Sequence, residues 1–261
     1  MSTAKPAPAR SKPLPSAVQR AASALRDMAM SREVGELLGS EEELMASLGV
    51  SRPTLRQAAA LVAQDHLINI RRGVNGGYFA ALPSSMTVAR MAAIYLQSRK
   101  AGLAEVIHAV DPIRTELARL ASRNRDPEAR RQLEEFLEQE QQAGDAREDY
   151  RAFLRAERAF GRVLGAMSGS EVLSLFLGIV YDLSALIGRD VDVYHKRPER
   201  VALYRAHRNR MAAAILEGDE EMAVLATKRC TAIVTEWMQE DMAGRGFAAG
   251  EAPAAARAGP Q

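Results

Sequence analysis

The chain has 261 residues, enough for one large or two medium domains with a proper core. Its 47% hydrophobic and 26% charged content is that of a globular protein, and a net charge of +2 excludes a bulk polycation, so any attraction to nucleic acid must come from local placement of arginines. A single cysteine, Cys230, excludes an internal disulfide framework and fits a reducing cytoplasm; no apolar run approaches the ~18 residues of a membrane span, and the N-terminus lacks the apolar core of a signal peptide.

In chain order, residues 1–16 are rich in Ala, Pro, Lys and Arg and are expected to form a disordered basic arm. Residues 18–30 form a helix expected to pack against the next two helices. Glu41 to Leu48 reads as a short amphipathic helix with Leu44 and Leu48 on one face, ended by Gly49, which permits a tight turn. Ser51 is placed to cap a second helix that tolerates Pro53 in its first turn. In that helix Leu55, Ala59 and Val62 form the packing face, while Arg52 and Arg56, four apart, share another face and can point outward together. After Asp65 the pattern changes. Leu67, Ile68 and Ile70 are β-formers, Tyr78 and Phe79 answer them, and the loop from Arg71 to Gly77 between them reads as a hairpin with glycines for positive φ and Arg71 and Arg72 at its base. Residues 17–82 are thus expected to be a winged helix-turn-helix with a small β-hairpin wing.

That geometry suits double-stranded DNA. A helix fits the major groove, and arginine grips guanine O6 and N7 with two parallel hydrogen bonds. Ser51 and Thr54 can bond phosphates at a helix N-terminus, and a wing of little bulk can approach the backbone. One recognition helix reads too few base pairs for genomic selectivity, so a symmetric homodimer on a palindromic operator is expected.

ALPSS, residues 81–85, is the linker, and a second domain is expected over residues 83–243, with a disordered Ala/Gly/Pro-rich tail over 244–261. Helical patterns run over residues 86–100, 103–123, 127–142, 147–167, 170–188, 197–217 and 219–240, with no strand signal. Leu103, Val106, Val110, Ile113, Leu117 and Leu120 make a buried stripe interrupted by a kink at Pro112, and helix 127–142, crowded with Glu and Gln, is expected to be an exposed outer face. The expected fold is therefore mainly α: a winged helix-turn-helix followed by an all-α bundle of six to seven helices able to enclose a cavity.

Three polar residues fall on apolar faces of that bundle. Glu157 lies among Phe153, Phe160 and Leu164; His207 sits between Leu203 and Met211; Cys230 shares a face with Ala226, Ile233 and Trp237. A buried carboxylate is costly unless paired or ligated, so these residues admit a hydrogen-bonded core, a metal, or a site that orients a polar ligand.

The run LLGSEEELMASLGVSRPTLRQAAALVAQDHLINIRRGVNGGYF resembles the N-terminal domain of the GntR family of bacterial transcription regulators, with VSRPTLRQA and the RRG-x-x-GG-Y-F wing its most specific parts. The helical remainder resembles the ligand-sensing domain of the FadR subfamily. The resemblance implies a homodimeric, effector-responsive, cytoplasmic repressor in which Ser51, Arg52, Thr54, Arg56, Arg71, Arg72, Gly76 and Gly77 meet DNA. A basic residue is common in the family at the place Glu42 holds, which puts one family contact in question. Many relatives bind a metal through an Asp, a His four residues later and two further His; here Glu157, Gly161, Arg208 and Cys230 stand in those places, with His207 one residue early. The chain then looks like the metal-free branch typified by fatty-acyl-CoA sensors, with no cofactor. Arg114, Arg155, Glu157, Tyr204, His207 and Arg208 are the candidates for a small anionic effector such as a CoA thioester. Two readings compete: a DNA-binding dimer whose helical half senses no ligand, and a helical metal-dependent enzyme with a DNA-binding appendage, which lacks a nucleophile–base pairing, an HExxH or a Walker loop.

Arg52→Ala and Arg56→Ala are each expected to cost ~1–3 kcal/mol on a specific operator and much less on random DNA. Competition gel shifts with both DNAs check this, and equal losses would reduce both arginines to phosphate contacts.

Overall fold

The computed structural model describes residues 15–142, 150–188, 193–194 and 196–244. Two compact units divide the chain, the first ending at Ser84 and the second starting at Ser85.

In the first unit α1 (Ala17–Met30) starts at a capping box in which the Ser16 hydroxyl and the Gln19 side chain satisfy each other's backbone N–H. Ser16 is therefore part of a helix start and not of a basic arm, the rest of which lies outside the described residues. A second capping box, Ser40 with Glu43, starts α2 (Glu41–Leu48), whose first turn holds three glutamates that complement the helix dipole. Gly49, at φ 62°, caps its end in the left-handed conformation. Ser51 opens α3 (Arg52–Gln64), but its hydroxyl meets the Thr54 hydroxyl at 2.9 Å instead of a backbone N–H. Leu25, Leu44, Leu55, Ala59, Val62, Ile68 and Tyr78 form the core that holds the three helices on the sheet.

The expected two-stranded wing has a third member. β1 (Leu37–Gly39), β2 (Ile68–Arg71) and β3 (Gly77–Ala80) pair antiparallel in the order β1-β3-β2, with Leu37 opposite Phe79 and Ile70 opposite Tyr78. Three residues are too few to show a period, so β1 has no sequence signature. Of the wing glycines, Gly73 and Gly77 take the expected positive φ and Gly76 does not. Gly73 (φ 97°) and Asn75 (φ 62°) take the left-handed conformation. Gly76 is needed for space: a Cβ there would lie 2.6 Å from the Arg71 carbonyl and 2.7 Å from that of Gly73. Gly77 is buried beneath β1, where a Cβ would lie 3.0 Å from the Gly39 carbonyl.

The second unit consists of α4 (Ser85–Ser98), α5 (Leu103–Arg123), α6 (Pro127–Gln142), α7 (Tyr150–Ser168), α8 (Glu171–Ile187), α9 (Pro198–Glu217) and α10 (Glu220–Gly244). Leu117, Leu133, Phe160, Leu164, Met167, Leu177, Met211 and Ile215 build its core. Gly244 ends α10, so the expected tail starts later and otherwise lies outside the described residues, as do residues 147–149 of the expected fourth helix. Pro112 sits inside a continuous α5. Ile113 and Leu120 are only half-buried, while Arg114 and Leu117 take the central places on that helix. The expected outer face of α6 is a correction: Ala129, Leu133, Phe136 and Glu140 are buried at helical spacing, because the run of acids occupies the opposite side.

Leu55 is fully buried and Leu61, on the same helix, is 40% exposed. Leu55→Ala should lower stability by ~2–5 kcal/mol and Leu61→Ala by ~1 kcal/mol or less, measured by urea unfolding followed at the first unit.

Candidate functional site

Two sets of charged side chains stand out, one on each unit. On the first, α3 presents Arg52 and Arg56, whose side chains are 51% and 63% exposed. Both are held by α2. The Arg56 guanidinium donates to both Glu41 carboxylate oxygens, Nε at 2.6 Å and Nη2 at 3.2 Å. Arg52 Nη2 donates to Glu42 at 3.1 Å, and its Nε lies 3.6 Å from Glu41. The hydrogen bond from Arg56 holds the Glu41 carboxyl below the usual carboxylate range, and its counterpart raises the Arg56 guanidinium. Both arginines are thus oriented outward and charge-compensated. A guanine edge or a phosphate must take over hydrogen bonds that Glu41 and Glu42 already accept. Periodicity did not single out these two glutamates as partners of the arginines, since the pairing depends on the turn at Gly49 bringing two helix starts together. Beside them Ser51 is exposed and Thr54 half-buried. In the wing, the Arg71 guanidinium stacks 4.1 Å from the centroid of the Phe79 ring, Arg72 is exposed, and Val74 at the tip is 99% exposed.

The second unit buries a charge cluster. Arg114, 3% exposed, donates through Nη1 to the Tyr204 hydroxyl at 2.6 Å, and Tyr204 donates on to Glu157 Oε1 at 2.5 Å. Arg208, with no exposed surface, donates to Glu157 Oε2 at 3.2 Å and also to Glu140. Arg205 donates to Glu140 at 3.1 Å, and the Tyr181 hydroxyl reaches Glu157 at 3.4 Å. Both deeply buried guanidiniums lie near the Phe160 ring, at 5.6 and 5.8 Å from its centroid. Burial alone would raise the Glu157 carboxyl; Arg114 and Arg208, with the Tyr204 hydroxyl, outweigh it and hold the group below its ordinary value. Burial pushes the Tyr204 and Tyr181 phenols up, so both stay neutral donors. Arg114 Nε and Nη2 and Arg208 Nε, all buried, have no hydrogen-bond partner. Arg114 Nη2 does lie 3.4 Å from Glu157 Oε1, an ion-pair distance without hydrogen-bond geometry.

The cluster unites four expected site residues, Arg114, Glu157, Tyr204 and Arg208. It does not include the others in the expected way. His207 is half-buried on the shoulder of α9, because the buried line of that helix is Val201, Tyr204, Arg208, Met211 and Ile215, one residue out of step with it; Leu203 is 47% exposed. Burial, with Arg210 and Arg229 nearby, lowers its pKa, which favours neutral imidazole. Arg155 is exposed on α7. Cys230 is buried with Phe153, Tyr204 and Trp237, and its thiol is pushed up to about 11 by that burial, which leaves it an inert thiol and not a thiolate ligand. Gly161 lies against Tyr181, whose ring edge would be 3.0 Å from a Cβ there. Among the described residues no group of three or more His, Cys, Asp or Glu is placed to hold a metal ion. Glu157 faces two guanidiniums, and their charge opposes a third cation. Glu140 and Tyr181 were the unforeseen members; the spacing 129, 133, 136, 140 on α6 carried the signal for Glu140.

Residues 17–75 match the bacterial regulatory proteins of the gntR family, and residues 105–232 match the FCD domain. Among solved structures, a GntR protein of Streptococcus agalactiae superposes with a TM-score of 0.64 at 19% identity, over 84% of this chain and 99% of that one. Escherichia coli McbR/YncC matches at 16% identity over 88% of this chain and 97% of that one, with a TM-score of 0.39. A Rhodococcus GntR transcriptional regulator matches at 18% identity over 85% and 97%, also with a TM-score of 0.39. The first of these shares the fold.

Glu157→Gln leaves buried guanidiniums under-compensated and should cost ~3–5 kcal/mol at neutral pH. Because the folded carboxyl titrates below its unfolded value, its contribution is present above the unfolded pKa and lost as pH falls through the lower folded one. The gap between wild type and variant in urea unfolding should therefore close below about pH 4. A constant gap from neutral to acid pH would contradict the assignment.

Proposed function

We propose that this chain, a GntR-type DNA-binding transcription regulator with an FCD ligand-sensing domain, is a dimeric repressor released from a palindromic operator by a small organic anion. One observation carries the effector reading: the Arg114 side chain is 3% exposed, yet its Nε and Nη2 have no hydrogen-bond partner. Those two atoms form the edge of a guanidinium that takes a carboxylate through two parallel bonds. Buried donors left unmade are costly, and a carboxylate would satisfy both at once. Glu157, Tyr204 and Arg208 then orient the acid.

The chemistry narrows the effector. Arg114 asks for a carboxylate and not for a thioester carbonyl. A carboxylic acid is therefore favoured over a whole CoA thioester.

On the DNA side, Arg52 and Arg56 exchange Glu42 and Glu41 for base edges, Ser51 and Thr54 hold phosphates, and Arg71, Arg72 and Gly76 bring the wing to the backbone. Two recognition helices must lie about 34 Å apart, or a multiple of it, to enter successive major grooves. Four residues, 81–84, join β3 to α4. A connection that short lets a shift of α4 disturb the spacing.

The test is calorimetric titration of the full chain with a panel of carboxylic acids, with CoA thioesters for comparison, with and without saturating operator. Two chains per operator and a 5- to 150-fold weaker acid affinity on DNA are expected, which is ~1–3 kcal/mol of coupling. Equal affinity in both states would sink the release mechanism, and tighter binding of the thioesters would sink the carboxylic-acid reading.

A further inference from the structure

A half-open cleft of about 140 Å³ lies where α4, α7 and α8 meet, within the second unit. Its cations are Arg158 and Arg162, four apart on one face of α7. Asp182, whose side chain is 6% exposed, accepts from Arg158 Nη1 at 3.0 Å and from the Ser85 hydroxyl at 2.7 Å. That pair fixes the Arg158 guanidinium at the rim while using one of its five N–H groups, so the remaining donors are oriented and open. Arg162 is exposed and has no hydrogen-bond or ion-pair partner among the described residues. Ser174 lines the same wall. Gly178 keeps the floor open and lets α4 approach: a Cβ there would meet the Ser85 Cβ at 3.1 Å.

We infer that this cleft is a second ligand site, which adjoins the buried Arg114–Glu157 cluster at Tyr181, and that it binds a phosphoryl group, either free phosphate or the phosphate of a small metabolite. Two guanidiniums match an oxyanion with three or more acceptor oxygens and more than one charge; a single carboxylate is satisfied by one guanidinium. With two arginines against Asp182, the cleft keeps one positive charge. Its volume suits a phosphoryl group with a few attached atoms. Arg158, Asp182 and Ser85 form a hydrogen-bonded chain from the cleft to the first residue of the second unit, so an anion bound here holds the start of α4 in place. The inference stands whether or not the buried cluster takes a carboxylate.

The test uses the full chain, thermal-shift and calorimetric titrations with inorganic phosphate and with glycerol phosphate, and sodium chloride and acetate at matched ionic strength. A saturable rise in melting temperature with at least one phosphoryl ligand, and none with chloride or acetate, is expected. Arg162→Ala should weaken that ligand at least tenfold while leaving the ligand-free melting temperature unchanged, and Arg162→Lys should restore part of the affinity. Arg131→Ala, which removes an exposed arginine of α6, should change nothing. Binding of inorganic phosphate alone identifies the free ion as the ligand, and binding of the ester alone identifies a metabolite. A shift that chloride reproduces, or full affinity in Arg162→Ala, would overturn the site, since the phosphate would then be acting elsewhere on the chain. Equal binding of acetate would overturn the phosphoryl assignment.

Discussion

The second half of the chain depends on one constraint: Glu157 ionised between two buried guanidiniums. Moving ions from water into a protein interior costs several kcal/mol each, and only close pairing with further hydrogen bonds offsets it. Arg114 comes from α5, Glu157 from α7, Tyr204 and Arg208 from α9, and Glu140 from α6. No single helix can satisfy its own member. The four must come together in one register, because a one-residue slip would leave a charge facing Phe160 or Met211 instead of its partner. An apolar core of equal volume could be more stable but would not impose that register. The aromatic rings around the cluster exclude water and keep its interactions strong, and they also make every unmade donor in it expensive.

The same pair of residue types behaves differently on the first unit, and exposure decides the difference. Arg52 and Arg56 also rest on glutamates, but at 51% and 63% exposure solvent screens their ion pairs. Such pairs can be traded for phosphate or guanine contacts at little loss. They orient the arginines while keeping them exchangeable. Arg208, without exposed surface, cannot make that trade. Arginine on glutamate is thus a holding device in one unit and a structural lock in the other, and burial, not residue identity, separates them.

Much of the fold was legible because its elements are periodic and punctuated. Helix α2 starts and stops at Glu41 and Leu48 as read, since the Ser40–Glu43 box and Gly49 are local signals. The seven helices of the second unit follow from the apolar spacing and the glycines and prolines between them. What stayed hidden was set by neighbours. β1 exists because β3 offers it an edge. Gly76 is glycine for space, which depends on where two carbonyls come to lie. His207 and Arg208 are adjacent, and only packing shows which one faces inward; a ring flanked by Leu203 and Met211 looked like the inner one, but Tyr204 and Met211 set the true line. Glu140 was hidden by composition, because acids crowd α6 and its buried stripe is only four residues wide.

The cluster's incomplete satisfaction is what the proposed effector site rests on. A purely structural network tends towards full pairing, because each orphaned donor costs about as much as a hydrogen bond saves. Of the cluster's three orphaned donors, two are the adjacent atoms of one guanidinium edge, on a residue otherwise fixed by Tyr204. A rigid donor pair held open needs no reorganisation to accept a planar acid, so little of the binding energy is lost to ordering. Much of what such an acid gains is the relief of a penalty the protein already carries. That gain can move the equilibrium only if the two states of the bundle present the edge differently. The four helices that meet at Glu157 would sense that difference together, since none of them can shift without breaking the pairing of the others.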